Sequence, residues 1–147
     1  MKKIARYSLV VLVLSALVWL TACERILSGT EKAAVLAFSE AATDDLFAGL
    51  TAGDYAAFSR DFDSDMYEEI SATDFAVWKQ ALDNQLGNYV SRRVDRVTQA
   101  DEFYVVSYQA EFEQEAPVSV TVAFHASDHS IAFLSFDSEE FSWSTFQ

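Results

Sequence analysis

Three aspartates occupy alternate positions in the segment "DFDSDM", a spacing that supplies oxygen ligands in helix–loop–helix calcium sites. Asp61, Asp63 and Asp65 would be the first, third and fifth residues of such a loop. That loop also requires glycine at its sixth position for a sharp turn and glutamate at its twelfth for bidentate coordination. Met66 and Ala72 stand at those positions instead. We therefore interpret the segment as a solvated acidic loop and assign no metal site to it.

Two histidines, His125 and His129, lie four residues apart. On a helix this spacing would bring two zinc ligands together, but the surrounding pattern predicts a strand end and a turn, without a third ligand nearby. No glycine-rich phosphate loop stands among the four glycines. The sequence accordingly predicts no metal and no cofactor.

A basic cluster, Arg92, Arg93 and Arg96, lies in a strongly acidic chain with 23 acidic and ten basic residues. The simplest interpretation is cross-strand pairing with acidic residues such as Glu111 or Glu113. A contact with lipid head groups or with an acidic partner is the alternative.

Helical spacing of apolar residues dominates the first half of the chain. Thr30 is the expected N-cap of a first helix that ends at Gly53, which can adopt the left-handed conformation. Asp54 then caps a short second helix, and a helical turn follows near Tyr67. A third helix begins at Ser71 or Thr73 and ends at Gly87, with Phe75, Trp78, Leu82 and Leu86 on one face.

From Tyr89 onward the apolar period changes to two, which predicts four strands at residues 90–98, 103–113, 118–124 and 131–136. A three-residue turn at 114–116 would pair Tyr108 with Val122, and a two-residue turn at 128–129 would pair Phe124 with Phe133. Both registers collect apolar residues on one face. That inner face comprises Tyr104, Val106, Tyr108, Phe112, Val118, Val120, Val122, Phe124, Ile131 and Phe133.

Segregation of helices before strands predicts an α+β fold, in which three helices pack on one face of a four-stranded antiparallel meander. In this register Leu134 and Phe136 fall on the outer face, which then needs a cover. Either the tail residues Phe141, Trp143 and Phe146 fold back over it or a second copy packs there. The protein is thus expected to be a monomer or a homodimer.

The N-terminus carries Lys2, Lys3 and Arg6, followed by the apolar run 9–20. This run is too short to span a bilayer, which needs about 20 apolar residues, and it fits a secretory signal peptide. The segment Leu20-Thr21-Ala22-Cys23 resembles the lipobox of bacterial lipoprotein signal peptides. The resemblance implies that Cys23 receives a diacylglyceryl group and becomes the first residue once 1–22 is removed.

This organisation predicts a signal peptide at 1–22, a lipidated tether at 23–30, one α+β domain at 31–137 and a C-terminal tail at 138–147. The domain would lie outside the cytoplasm, lipid-anchored to the cell membrane or outer membrane. Removal of the signal peptide takes three basic residues and no acidic ones, so the formal charge becomes −16. Such a chain is not expected to bind nucleic acid, whose phosphates require a basic surface.

The order of elements resembles the nuclear-transport-factor-2-like superfamily, in which helices pack into the concave face of a curved sheet and often leave an apolar pocket. More narrowly, "LFAGLTAGDYAAFSRDFDSDM" and "FAVWKQALDNQLGNY" resemble domain-of-unknown-function family 3887, over residues 40–136. Members of that family are commonly small exported or lipid-anchored proteins. The resemblance supplies no catalytic residues.

Some members of the superfamily are isomerases or dehydratases that use a pocket carboxylate or histidine, with a tyrosine hydroxyl that donates to a developing oxyanion. Here that alternative would use Asp95 and Tyr108 as an isomerase or hydratase pair. Asp95 faces inward, together with Arg93, only if the first hairpin has an even loop. A neighbouring Arg93 would then neutralise Asp95 rather than leave it as a base.

The sequence therefore favours a non-enzymatic ligand-binding or protein-interaction domain, with no catalytic residue assigned. The expected occupant is a small apolar ligand or an envelope protein. The predicted pocket comprises Trp78, Tyr104, Tyr108, Phe124 and Phe133, because aromatic rings with polar tips suit a half-wet boundary.

Overall fold

The structure, a computed structural model, describes residues 24–145. Over this range, helices α1 to α4 span Gly29–Ala52, Tyr55–Phe58, Ser64–Glu69 and Ala72–Leu86. Strands β1 to β6 span Arg25–Ile26, Tyr89–Ala100, Phe103–Phe112, Val118–His125, Ile131–Asp137 and Ser142–Ser144. The strands form one antiparallel sheet in chain order. The α+β class is confirmed, whereas the expected three helices and four strands become four and six among the described residues.

Local capping signals fix the helix ends. Gly53 ends α1 in the left-handed conformation at a φ of 67°. The Asp54 side chain accepts a hydrogen bond from the backbone of α2, and Ser71 forms a capping box with Asp74 at the start of α4. These predicted caps are confirmed. The start of α1 differs, because the helix begins at Gly29 and includes Thr30, the residue expected to cap it.

The β3–β4 hairpin differs from the predicted register by two residues. Tyr108 pairs with Val120 rather than with Val122, and Ala110 pairs with Val118. Because side chains alternate with a period of two, a shift by two leaves each one on its predicted face. The buried face of these strands therefore carries the predicted residues Val106, Tyr108, Phe112, Val118, Val120, Val122 and Phe124.

The register of β5 was predicted wrongly. A five-residue loop at 126–130 replaces the expected two-residue turn, and Phe124 pairs with Ile131 while Ala123 pairs with Phe133. Ala132 is thus an extra, unpaired residue in β5, which makes this point a β-bulge. Beyond the bulge the strand has changed phase, so Phe133 lies opposite Ala123 on the outer face instead of inside.

The same bulge turns Leu134 and Phe136 inward, although both were expected on the outer face. Both are fully buried, and the Phe136 ring contacts Phe47 of α1 and Trp78 of α4. The outer face therefore lacks the apolar pair that was expected to need a cover.

The C-terminal segment extends the sheet rather than folding back over its outer face. Trp143 lies in β6, opposite Phe136, and its ring packs against that of Trp78 in a tilted arrangement with centroids 4.4 Å apart. Phe141 is also part of the core. The prediction of a tail over the outer face is thus wrong for these residues, while Phe146 lies outside the described part.

Residues predicted as a tether are integrated into the domain. Arg25 and Ile26 form β1 and pair with Gln99 and Thr98 of β2. Leu27 is only 3% exposed and belongs to the core. The folded domain therefore begins next to Cys23, which lies outside the described residues.

Candidate functional site

A polar cluster lies between α1 and the inner sheet face. The Tyr108 hydroxyl donates a hydrogen bond of 2.8 Å to Glu40 Oε1 and lies 3.1 Å from Thr43 Oγ1. Arg92 reaches inward from β2 and pairs with Asp44 at 2.7 Å and with Glu40 at 3.6 Å. Glu40, Thr43 and Asp44 share one face of α1 because they are three and four residues apart.

Electrostatics keep the Tyr108 phenol neutral and the Arg92 guanidinium charged. Burial raises the pKa of the Tyr108 phenol far above its usual value; the Thr43 hydrogen bond opposes the rise and the Glu40 carboxylate adds to it. Burial alone would lower the pKa of Arg92, but hydrogen bonds to Tyr89 and Asp44 and the charge of Glu40 raise it overall. The Arg92 guanidinium also lies 5.1 Å from the centre of the Tyr108 ring, a cation–π distance. The cluster is thus a neutral phenol beside a paired arginine.

The structure does not bring Asp95 and Tyr108 together. The β2–β3 hairpin has the even, two-residue loop that would turn Asp95 inward. However, Val94 pairs with Tyr108 and Arg96 with Ser107, so Asp95 is the extra residue of a bulge and lies exposed. Arg93 is exposed as well. The carboxylate beside Tyr108 is Glu40, a residue that the sequence analysis did not single out.

The arginine cluster also divides differently from its prediction. Arg92 bonds to the acids of α1 rather than to Glu111 or Glu113. Glu111 accepts a hydrogen bond from Ser91, and Glu113 accepts from Asn88. Cross-strand pairing is therefore wrong for Arg92, whose inward direction follows from the bulge at Asp95.

An open cleft lies at the end of the sheet where the folded chain begins. It occupies about 330 Å³ between the first turns of α1, the β1–β2 edge, β3 and the β4–β5 loop. We call it the α1–β1 cleft. Its apolar lining comprises Leu27, Ala34, Val35, Phe38 and Tyr104, and its polar lining comprises Arg25, Glu31, Gln99 and His129.

Two contacts shape the α1–β1 cleft. Arg25 joins α1 to β2, because its Nη1 donates to Glu31 at 2.8 and 3.0 Å and its Nη2 donates to Gln99 at 2.9 Å. On the other side the Phe38 ring stacks on His129 with centroids 3.6 Å apart and parallel planes. His129 sits at a φ of 64°, in the left-handed region of the β4–β5 loop. The stacked rings of Phe38 and His129 therefore form one side of the cleft, and the charged contact between Arg25 and Glu31 forms the other.

Of the five predicted pocket residues, Tyr104 lines the α1–β1 cleft. Phe124 lies beneath it, fully buried with its ring 5.7 Å from that of Phe38. Tyr108 is fully buried in the polar cluster. Trp78 packs against Trp143 and Phe136, and Phe133 lies on the outer face, so neither joins the others.

Most of the cleft was not predicted, because the composition of residues 24–30 is that of a polar tether. Ile26 and Leu27 form an apolar pair inside that polar stretch, and this pair was the available signal for an added strand. Phe38 was recognisable only as part of the apolar face of α1. Its partner His129 was considered as a metal ligand and not as an aromatic ring.

The acidic loop has a structural use in this fold. Asp63 caps α3 by accepting a hydrogen bond from the Met66 backbone, and its second oxygen lies 2.9 Å from His125 Nε2. Within the described residues, no three histidine, cysteine or carboxylate side chains are grouped so as to hold a metal ion. Among residues 24–145, moreover, none of the helices combines the length and apolarity that a membrane crossing requires.

Comparison with known proteins finds a family match over the middle of the chain. The model of a family described as "Protein of unknown function (DUF3887)" matches residues 44–134, more than half of the chain. The chain belongs to the DUF3887 family. The DUF3887 match runs from the second half of α1 into β5, so it includes Tyr104 and His129 but not Arg25, Leu27 or Phe38. Searches of curated proteins and of solved structures each returned no match.

Proposed function

We propose that this DUF3887 protein is a lipid-anchored domain outside the cytoplasm that binds an apolar ligand in the α1–β1 cleft without transforming it. The observation that carries the proposal is the cleft itself. Apolar and aromatic side chains line it, and Arg25, Glu31, Gln99 and His129 add charged or polar groups. This is the usual composition of a small-molecule site, in which apolar area supplies affinity and a few polar groups set orientation.

The anchor in this proposal is the lipobox-like segment ending at Cys23. The first strand begins at Arg25, so a lipid on Cys23 would hold this end of the domain close to the membrane. The fold proposed is nuclear-transport-factor-2-like, since the helices cover one face of an antiparallel sheet. In place of the central pocket common in that superfamily, the ligand site proposed here lies at the sheet end.

Binding without turnover is favoured by the position of the ionisable groups. Tyr108 is fully buried and its hydroxyl is bonded to Glu40 and Thr43. Asp95 is exposed on its bulge. The isomerase or hydratase alternative needs a carboxylate and a tyrosine facing the same open pocket, and the pair Asp95 and Tyr108 does not meet that requirement. Glu31 and Tyr104 both line the cleft, but both oxygens of Glu31 accept hydrogen bonds from Arg25.

The anchor is tested by expressing the full chain in a bacterial host and comparing it with Cys23→Ser. We expect the parent to lose residues 1–22, gain the mass of a diacylglyceryl group and partition with membranes. Cys23→Ser should remain unprocessed at this position. A processed, soluble protein with an unmodified Cys23 would contradict the anchor.

The ligand site is tested with two matched tryptophan substitutions in α1. Ala34 and Ala33 are both exposed, but only Ala34 lines the cleft. Native mass spectrometry of protein extracted from membranes should show a bound mass, other than detergent, in the parent and in Ala33→Trp. Ala34→Trp fills the cleft and should lose that mass. Equal retention in both variants, or no bound mass in the parent, would refute the cleft as the ligand site.

A further inference from the structure

We infer that the ligand of the α1–β1 cleft is a zwitterionic phospholipid, with one acyl chain in the cleft and its head group beside the charged residues of an adjoining cleft. This inference rests on the proposed function, because it takes the ligand from the membrane to which Cys23 would anchor the domain. Its basis is the arrangement of apolar surface and charge at this end of the sheet.

The proposed lipid attachment point is separated from the folded domain by very few residues. Only Glu24 lies between Cys23 and Arg25, the first residue of β1. The neighbouring Ile26 is 66% exposed although it is a large apolar residue. An exposed isoleucine beside a lipid attachment point is suited to contact with the membrane surface. The α1–β1 cleft is thus held next to a reservoir of acyl chains.

A second cleft adjoins the first, and each of its lining residues carries a charged or polar side-chain group. It is lined by Glu24, Arg25, Gln99 and Asp101 and occupies about 450 Å³. Arg25 and Gln99 line both clefts. A molecule with an apolar chain and a polar head could therefore place one part in each, with the Arg25 guanidinium at the junction.

The charges at this junction match a zwitterion. Arg25 uses three of its five N–H donors on Glu31 and Gln99, which leaves two for a phosphate oxygen. The carboxylates of Glu24 and Asp101 are exposed in the same cleft and suit the ammonium of a choline or ethanolamine head group. Glu24, Asp101 and Glu31 together carry three negative charges against the one positive charge of Arg25. A lipid with a phosphate and no cationic group would therefore be repelled.

The test is photo-crosslinking of the full chain in vesicles. Protein carrying lipid on Cys23 is reconstituted into phosphatidylcholine containing a trace of phosphatidylcholine with a photoreactive acyl chain. A parallel set of vesicles uses phosphatidylglycerol both as the bulk lipid and as the photoreactive lipid. We expect crosslinks to α1 around Phe38 and to β3 around Tyr104, with a yield about tenfold higher in phosphatidylcholine, the factor that corresponds to about 1.4 kcal/mol.

Matched variants identify the cause of these crosslinks. Ala34→Trp should reduce the yield about tenfold and Ala33→Trp should leave it unchanged. Asp101→Asn should narrow the difference between the two lipids; asparagine is compatible with the φ of 51° at this position. Equal yields from the two tryptophan variants, equal yields from the two lipids, or crosslinks confined to Ile26 would each overturn the inference.

Intact mass of the same samples reports the lipid on Cys23 separately. Absence of that lipid from the expressed protein refutes the anchor in the proposed function. A lipidated protein that binds an apolar ligand in the cleft but lacks the lipid crosslinks refutes only the phospholipid.

Discussion

Tyr108→Phe should destabilise the domain at neutral pH and much less at high pH. The substitution removes the hydroxyl that donates to Glu40 and contacts Thr43. A hydrogen bond to a carboxylate contributes about 1.5–3 kcal/mol, but solvent screening reduces this because the Glu40 side chain is 42% exposed. The buried Thr43 hydroxyl also loses a partner. We expect a loss of about 1–2 kcal/mol in the free energy of unfolding at pH 7.

The pH dependence follows from the raised pKa of Tyr108. A folded-state pKa above the unfolded value of about 10 means that this contribution to stability is complete below pH 10. It is lost as pH rises above 10, because the unfolded chain then ionises while the folded phenol stays neutral. At pH 11 ionisation of the phenol lowers the free energy of the unfolded parent by about 1.4 kcal/mol. The phenylalanine variant has no phenol to ionise and lacks this effect.

Urea unfolding of both proteins at pH 7, 9, 10 and 11 measures this difference. We expect the gap in unfolding free energy to be constant up to pH 9 and close to zero at pH 11. Tyr67→Phe is the control, since Tyr67 is 45% exposed and should leave stability unchanged at neutral pH. A gap between Tyr108→Phe and the parent that persists unchanged to pH 11 would refute the argument.

Two further predictions concern packing. Gly49→Ala should lower the free energy of unfolding by more than about 3 kcal/mol. An added Cβ would lie 2.2 Å from the backbone nitrogen of Phe58 and would push α1 away from α2. A near-normal midpoint in urea unfolding would contradict this. Trp143→Ala should lower the free energy of unfolding by about 2–3 kcal/mol, which is at or below the low end for buried aromatic residues because this side chain is half-buried. It should also alter the fluorescence of Trp78, which the Trp143 ring contacts. Unchanged stability and emission would show that β6 does not dock.

The sequence was most informative where structure depends on neighbouring residues. The caps at Gly53, Asp54 and Ser71 were predictable because each signal acts within one helical turn. The inner faces of β3 and β4 were also predictable, despite a register error, because an error of two residues preserves the side-chain alternation.

Bulges were the main source of error. The extra residues Asp95 and Ala132 carry no compositional signal, yet each reverses the phase of the strand beyond it. One bulge removed Asp95 from the inner face and turned Arg92 inward, and the other exchanged Phe133 for Leu134. A prediction based on strict alternation could not have detected either bulge.

The α1–β1 cleft depends on contacts between residues far apart in sequence. Arg25 meets Gln99 across two neighbouring strands, and Phe38 meets His129 across the molecule. Neither contact has a local pattern, so only Tyr104 among the predicted pocket residues was placed at the cleft surface. The general expectation of an aromatic, half-open site stays a prediction for this new location.

Ligand binding in the α1–β1 cleft is tested most directly by an electron-density map of protein purified from its own membranes without delipidation. We expect continuous density between Phe38 and Tyr104, extending past Arg25. A cleft containing only water, with Phe38 and His129 in contact as described, would contradict it, as would ligand density confined to another part of the domain.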